Sequence, residues 1–444
     1  VCTDHGAQRT PGEPTPYDLG MAEVAAGRRT LLKLGGAGLV FSTAVGTGAA
    51  EADGPRSLRR TKKRAYVLVI DGCLPAEIDS GLTPNLAALR NGGYRYSRAS
   101  SMPIMETLPN HVMMMTGMRP DRTGVPGNNI YDRREKVIRE MDRPSDIKVD
   151  TIIERLNRNG LRTGTVLSKT YLYGIFGTRA TDRWEPMPII PVSDHAPDLF
   201  TMEAALTMLD ELDPHLMFVN LGDIDRLGHS DVTGPIGVKA LRRLALAQTD
   251  LQVGRFVAAL KSSGKWASSM VIVLADHSMD WSTTTNVVSL QGPFEDDRLL
   301  RGNFVIGDNG GADLVYWTGP RSQRERGLER MREIARATPG VLTVRDPGAK
   351  NMRLGPEAGD LVVYCRAGWR FSDPDPLTSN PIPGNHGHPA TRPIPFFIAG
   401  GHPRVRKGRA SSRIAKTIDV APTVADFFGI DEEPRGGYDG RSRL

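Results

Sequence analysis

Acidic residues and histidines recur where apolar, β-branched runs end. Asp71 follows YVLVI; Asp223, Asp225 and His229 follow LMFVNL; Asp276 and His277 follow MVIVLA. His386 and His388 lie in GNHGH, shortly before the apolar run PFFIAG. Taken singly, an Asp at a strand end is a turn former or a helix cap, and a lone His is a satisfied structural residue. Together, Asp71, the Asp225-x-x-x-His229 pair, the adjacent Asp276 and His277, and His386 offer three carboxylates and three imidazoles. Such a mixed N/O set suits two divalent ions of zinc type with positions left open. Two ions about 4 Å apart suit in-line displacement at phosphorus, one activating the attacking oxygen and the other stabilising the leaving oxygen.

A candidate for that attacking oxygen lies in METLPNHVMMMTG, residues 105–117. Thr107 stands where a cap would open an apolar helix, and its hydroxyl is a weak nucleophile unless a dication lowers its pKa. A helix N-terminus also provides N–H groups and a dipole that favour anionic oxygens. Cap and nucleophile are therefore compatible roles for one residue. Met113, Met114 and Met115 read as packing that anchors the helix. His111 reads as packing or capping beside it. Tyr171 and Tyr173 in KTYLYGIFG suit a pocket lining and a structural role equally.

These residues need a scaffold that gathers strand ends. Ala65 to Ile70 reads as a buried parallel strand. Residues 83–93 read as a helix closed by glycine, and 149–159 as a helix before a strand. A helix and turn precede a strand at Leu216 to Leu221. VKALRRLALAQTDLQVGRFVAALKSSG reads as a long helix, SSMVIVLADHS as another buried strand, PIPFFIAGG as a core strand, and TIDVAPTVADFFGI as a helix opening near Asp419. This alternation predicts an α/β fold with a largely parallel central sheet flanked by helices. In such sheets ligands bind outside the carboxyl ends of the strands. Residues 290–380 break the pattern, with a charged helix near 321–337, and read as a small inserted cap subdomain.

The order Asp71, Thr107 in TLPNH, Asn128 in GNNIYD, Asp225-x-x-x-His229, Asp276-His277 and His386 resembles the alkaline phosphatase superfamily. Within it the chain looks most like the type I phosphodiesterase/nucleotide pyrophosphatase branch. TLPNHVMMMTGMRPDRTGVPGNNIYD carries the resemblance most specifically, with support from DGCLP, ADHSM, GNHGH and TIDVAPTVADFFGI. The likeness implies an alkaline-phosphatase-like sandwich over 61–444. It implies one metal held by Asp225, His229 and His386, and another by Asp71, Asp276, His277 and Thr107. The motif favours Asp225 over Asp223, and the Gly-x-His-Gly pattern favours His386 over His388. Thr107 would form a covalent phosphothreonine, with the N–H after it and the Asn128 amide binding the phosphoryl group. The implied function is hydrolysis of phosphodiester or pyrophosphate bonds in a small phosphate ester such as a nucleotide. The alternatives are a phosphomonoesterase or phosphonate hydrolase on the same scaffold, and an inactive metal-bound binding protein. The chain departs from the family pattern at Thr123, where His is common, and at Ser278, where Gly is usual. A sulfatase is excluded because CLPAE lacks the final Arg of the modification motif, and a phosphoglycerate mutase would need Ser in place of Thr107.

Composition fits this reading. The 444 residues are 39% hydrophobic and 24% charged, with a formal net charge of +6, as in an ordinary globular chain. No basic run is interleaved with aromatics, so no stable nucleic-acid partner is expected. The three cysteines, Cys2, Cys73 and Cys365, include no CxxC, which argues against a cysteine zinc site or a disulfide scaffold. Arg28 and Arg29 precede a Gly/Ala-rich apolar run and resemble a twin-arginine export signal. Residues 1–60 therefore read as signal and linker, the export machinery as a partner, and the destination as periplasmic or extracellular. The apolar run is too short and weak for a membrane span, so no transmembrane anchor is expected.

Overall fold

The computed structural model describes residues 61–186, 195–231, 239–283, 285–372, 383–430 and 433–444. The export segment, its linker and Cys2 lie outside the described residues. Those described belong to one compact unit, Asp53–Leu444.

Twelve strands matter here. They are β1 (Arg64–Ile70), β2 (Tyr94–Ser100), β3 (Thr163–Leu167), β4 (Asp182–Trp184), β5 (Leu216–Leu221), β6 (Ser269–Leu274), β7 (Phe304–Asn309), β8 (Ala312–Trp317), β9 (Val341–Arg345), β10 (Leu361–Cys365), β11 (Phe396–Ala399) and β12 (Arg409–Lys416). Eight form a central sheet in the order β12-β2-β11-β6-β1-β5-β3-β4. The pairs β1–β5, β1–β6, β3–β5, β3–β4 and β2–β12 are parallel. Within the central sheet, among the described strands, only β11 runs against its neighbours, β2 and β6. The expected α/β sheet is thus present and largely parallel.

The helices used below are α1 (Pro84–Gly92), α2 (Thr107–Thr116), α3 (Ile152–Arg158), α4 (Thr170–Phe176), α5 (Asp198–Glu211), α6 (Asp223–His229), α7 (Ala240–Ser262), α8 (Arg324–Ala337) and α9 (Val420–Phe428). Alternation along β1 sorts most of them into layers, because successive side chains point to opposite faces. Ala65, Val67 and Val69 join a core with residues of α2, α3 and α9. Tyr66, Leu68 and Ile70 join a second core with residues of α1, α5 and α7. Residues of β1 from Ala65 to Ile70 are fully buried, which explains their continuous apolar run.

Within 290–380 the chain builds a separate antiparallel sheet, ordered β7-β8-β10-β9. One face packs on α8 through Val315, Trp317, Leu328 and Met331. The other contributes Ala312, Leu314, Tyr316 and Val362 to the α2 side of the main core. Cys73 and Cys365 are both buried and free. No helix among the described residues is long and apolar enough to cross a membrane.

The carboxyl ends of β6, β1, β5 and β3 fall side by side, since these four strands are consecutive in the sheet. Two features hold the loops beyond them. Arg242 of α7 is buried; its guanidinium donates to both Glu77 oxygens (2.6 and 2.8 Å), to the Gly72 carbonyl (2.8 Å) and to the Ile224 carbonyl (2.9 Å). It thus clamps the residues beside Asp71 and Asp225. Gly72 has φ +73°, and a Cβ there would lie 3.0 Å from Asp225 Cβ. Only glycine accepts both that φ and that approach.

Two outcomes follow. Arg242→Met should cost about 3 kcal/mol in urea unfolding, because it strands a carboxylate and two carbonyls. Gly72→Ala should cost about 1–3 kcal/mol from the left-handed backbone alone. A wild-type urea midpoint for either variant would refute the clamp or the close approach.

Candidate active site

The site forms where the four strand ends meet. Asp71 follows β1, Asp276 and His277 follow β6, and Asp225 and His229 lie on α6 after β5. His386 comes from the turn before β11 and Thr107 from the first turn of α2. Asp71, Thr107, Asp225, Asp276, His277 and His386 are all buried. Every residue proposed from the sequence as a metal ligand or nucleophile converges on this one place.

The orientation of the three imidazoles is informative. His229 donates Nδ1–H to the Gly384 carbonyl (2.8 Å) and His277 donates Nδ1–H to the Ser278 carbonyl (3.1 Å). His386 Nδ1 lies 2.9 Å from Glu106 Oε1. Two rings are thus hydrogen-bonded through Nδ1 and the third turns Nδ1 toward a carboxylate, leaving Nε2 toward the interior. The Nε2 atoms of His229 and His386 approach to 3.0 Å. His229 Nε2 is 3.4 Å and His386 Nε2 is 3.7 Å from Asp225 Oδ1. His277 Nε2 is 3.3 Å from Asp276 Oδ2, 3.8 Å from Asp71 Oδ1 and 3.2 Å from Thr107 Oγ1.

Three carboxylate oxygens, Asp71 Oδ1, Asp225 Oδ1 and Asp276 Oδ2, are buried without a hydrogen-bond partner. Such groups are costly unless something cationic satisfies them. Among the described residues, two groups draw close enough to hold an ion, each with ligand atoms within 4.8 Å of one another: Asp71, Asp276 and His277, and Asp225, His277 and His386. His277 therefore stands between the two. Its ring stacks on that of His386 at 3.7 Å between centroids. His229 completes the second group through its contacts with Asp225 and His386. The donor set fits two divalent ions: inward imidazole nitrogens, unpartnered carboxylate oxygens and a hydroxyl.

Electrostatics follow from burial. Burial and then the neighbouring Asp276 push the Asp71 carboxyl up, against the opposing Lys169. Burial would also raise Asp225, yet Lys169 and then His229 hold it well below the usual carboxylate range. Burial and the nearby His386 keep His277 well below the ordinary imidazole value, hence neutral. Burial would lower His386, but Glu106 reverses this and raises it to about 9.

The Thr107 segment differs from expectation in one respect. Glu106, with extended backbone (φ −119°, ψ 159°), is the N-cap, and Thr107 is the first helical residue. The Thr107 hydroxyl faces His277 Nε2 and caps nothing. The two groups assigned to a phosphoryl ligand engage each other: Leu108 N–H donates to Asn128 Oδ1 (2.9 Å). Asn128 Nδ2–H donates to Glu106 Oε2 (2.8 Å). The smaller sheet reaches this loop through Asn309, whose Oδ1 accepts the N–H groups of Asn128 and Asn129 (2.7 and 2.9 Å).

Asp223 and His388 lie apart from the ligand groups. Asp223 accepts from His195 Nε2 (3.1 Å) and the Asp198 N–H (3.1 Å), and His388 Nε2 is 3.2 Å from Asp280. Tyr171 is buried beneath the Lys169 and Arg226 cations, 5.9 and 5.6 Å from its ring centre, and Tyr173 is half-buried. His111 links Thr107 to the sheet. Its Nδ1–H donates to the Thr107 carbonyl (2.9 Å), and its Nε2 accepts from Asn220 Nδ2, which also donates to Asp71 Oδ2 (2.8 Å).

Sequence reasoning missed Lys169, Glu106 and Asn220. Lys169 follows the apolar strand TVLS, the same strand-end position that singled out the aspartates. Glu106 adjoins Thr107, and Asn220 is the polar exception in LMFVNL.

Known proteins share this arrangement of chain. Murine ectonucleotide pyrophosphatase / phosphodiesterase 5 superposes with a TM-score of 0.68 at 16% identity, covering 83% of this chain and 95% of that one. Another structure of that protein, an inactive variant in which alanine replaces a threonine, was solved in complex with AMP. Phosphonoacetate hydrolase from Sinorhizobium meliloti 1021, in complex with phosphonoformate, gives a TM-score of 0.64 at 18% identity, covering 83% of this chain and 96% of its own. In sequence, bis(5'-adenosyl)-triphosphatase ENPP4 of Bos taurus is 21% identical over 81% of this chain and 77% of its own length. The profile of the type I phosphodiesterase / nucleotide pyrophosphatase family matches residues 65–389. On that match across most of the chain, this protein belongs to the type I phosphodiesterase / nucleotide pyrophosphatase family and is a phosphohydrolase.

Proposed function

We propose that the protein hydrolyses phosphodiester or pyrophosphate bonds in nucleotide-like substrates, with two divalent ions and Thr107 as nucleophile. The observation that carries this reading is the gathering of three imidazole Nε2 atoms and three unpartnered carboxylate oxygens in one buried cluster, with the Thr107 hydroxyl against His277 Nε2. Asp225, His229 and His386 would hold one ion; Asp71, Asp276, His277 and Thr107 would hold the other. Zinc best suits this mixture of nitrogen and oxygen ligands. Bound there, the ions supply positive charge that makes the hydroxyl ionise more readily and offsets charge on the departing oxygen.

The chain's own groups do the rest. Thr107 Oγ1 attacks phosphorus from the first turn of α2, and the bond to the leaving alcohol or phosphate breaks, forming a phosphothreonine that keeps any second ester group of the substrate. Backbone N–H groups at that helix start face the anionic oxygens. For Leu108 N–H and Asn128 Nδ2–H to bind the phosphoryl group, Asn128 must exchange its present partners for the ligand. Water then attacks the phosphothreonine and releases the product. The inactive threonine-to-alanine variant of the murine protein in complex with AMP supports threonine chemistry, and the bis(5'-adenosyl)-triphosphatase name of the bovine relative supports a nucleotide-like substrate. The likeness to phosphonoacetate hydrolase favours phosphonate hydrolysis as the second reading. Export by the twin-arginine route is inferred from Arg28 and Arg29; a secreted mature chain whose N-terminal sequence still contains Arg28 would contradict it.

Rates on an aryl monoester, an aryl diester, a nucleotide pyrophosphate and phosphonoacetate separate these readings. The diester or pyrophosphate should turn over fastest, and no turnover of any would leave an inactive binding protein. Thr107→Ala should lose at least about 10³-fold in kcat, and unchanged turnover would remove Thr107 from the chemistry. Ion binding should also carry a pH signature. His386, raised to about 9 in the metal-free protein, carries a proton at pH 7 that ligation must displace. Zinc titrated calorimetrically into the metal-free protein should therefore release about one proton at pH 7, read from buffers of different ionisation enthalpy. Affinity should rise with pH up to about 9 and then level. Proton uptake, or affinity that falls from pH 7 to 9, would contradict this.

A further inference from the structure

Lys169 has no role in the chemistry above, yet it lies at its centre. It is fully buried, just beyond the end of β3. Its Nζ is 2.8 Å from Asp71 Oδ2 and 2.7 Å from Asp225 Oδ2. These carboxylates belong to different ligand groups, one on each side of His277. In both, the oxygen facing Lys169 is Oδ2, and the oxygen left without a hydrogen-bond partner is Oδ1. Asn220 adds a second donor to Asp71 Oδ2. The protein thus satisfies one oxygen of each carboxylate internally and leaves the other for a ligand.

We propose that Lys169 is a resident counter-cation, which replaces metal charge between the two ligand groups whenever the ions are absent. The proposal rests on the two-ion reading of the site. Asp71, Asp225 and Asp276 are buried together, and like charges in a low-dielectric interior repel strongly. An ammonium bridging two of them relieves that repulsion without any ion. A lysine suits the task because a compact point charge can face two oxygens from different strands. When two dications arrive, the same ammonium is surplus and repels them. Lys169 should therefore stabilise the metal-free protein more than the loaded one, and should weaken ion binding.

The second consequence separates this role from simple ligand orientation. Removing an outer residue that only orients ligands typically costs about 10–100-fold in metal affinity. Removing a counter-cation should do the reverse. The test uses wild type, Lys169→Met and the double variant Lys169→Met/Asp71→Asn. Melting is compared with zinc bound and after chelation, and zinc affinity is measured by competition with a chromogenic chelator.

Lys169→Met should lower the metal-free Tm by at least about 5 °C more than the loaded Tm, and should bind zinc about tenfold more tightly. In the metal-free double variant, removal of one carboxylate charge should recover at least half of the lost Tm. Equal losses in both forms, weaker zinc binding, or no recovery in the double variant would overturn the proposal. If Lys169→Met is insoluble even with zinc, the double variant decides: a soluble double variant sustains the proposal and an insoluble one defeats it. A wild type that binds no zinc defeats the two-ion reading instead; the metal-free comparison still decides whether Lys169 balances Asp71.

Discussion

The structure turns on the burial of three carboxylates, Asp71, Asp225 and Asp276, at the ends of three adjacent parallel strands. Apolar strands can be buried with little penalty; carboxylates gathered beside them cannot. The surroundings read as answers to that problem. Gly72 N–H satisfies Asp276 Oδ1 (3.2 Å), Asn220 satisfies Asp71, and Lys169 bridges Asp71 and Asp225. What these leave is one oxygen on each carboxylate, directed toward the imidazoles. The scaffold meets part of the cost of its buried charge and leaves three oxygens that cations could satisfy.

That constraint explains why small and buried residues recur around the site. Gly72 lets the β1 loop pass against Asp225, and Gly384 lets the loop before β11 pass against His229, where a Cβ would lie 2.4 Å from its Cα. Both close approaches bring a ligand-bearing loop against α6. Arg242 then fixes the β1 loop and the start of α6 through the carbonyls of Gly72 and Ile224. Precision at the site is thus set by backbone contacts that the chemically active side chains do not themselves make.

Much of the fold was legible because its signals are local. The buried runs at 65–70, 216–221 and 269–274 were readable as strands from continuous β-branched composition. The acids beyond them were readable as a site because parallel sheets collect such ends. The antiparallel direction of β11 was not legible, since a short apolar run has the same composition in either direction. Nor was the second face of the smaller sheet, whose Ala312, Leu314 and Tyr316 serve the main core. Lys169 escaped for a different reason. A lysine in a loop reads as a solvated charge, and only the register of β3 beside β5 places it between two aspartates. Its position was visible in the sequence, but its burial was not.

Glu106 shows how the parts are coupled. As the N-cap it precedes Thr107, the candidate nucleophile; one carboxylate oxygen approaches His386 Nδ1 and the other accepts from Asn128. A single side chain therefore spans a candidate ion ligand, the candidate phosphoryl donor and the start of the nucleophile helix. Moving Asn128 toward a ligand would remove a donor from Glu106 and leave its charge more fully to His386. Stronger negative charge at Nδ1 makes the opposite nitrogen a better electron-pair donor. Substrate engagement by Asn128 and ion retention by His386 would thus reinforce one another, through a residue whose type is explained by neither helix propensity nor core packing.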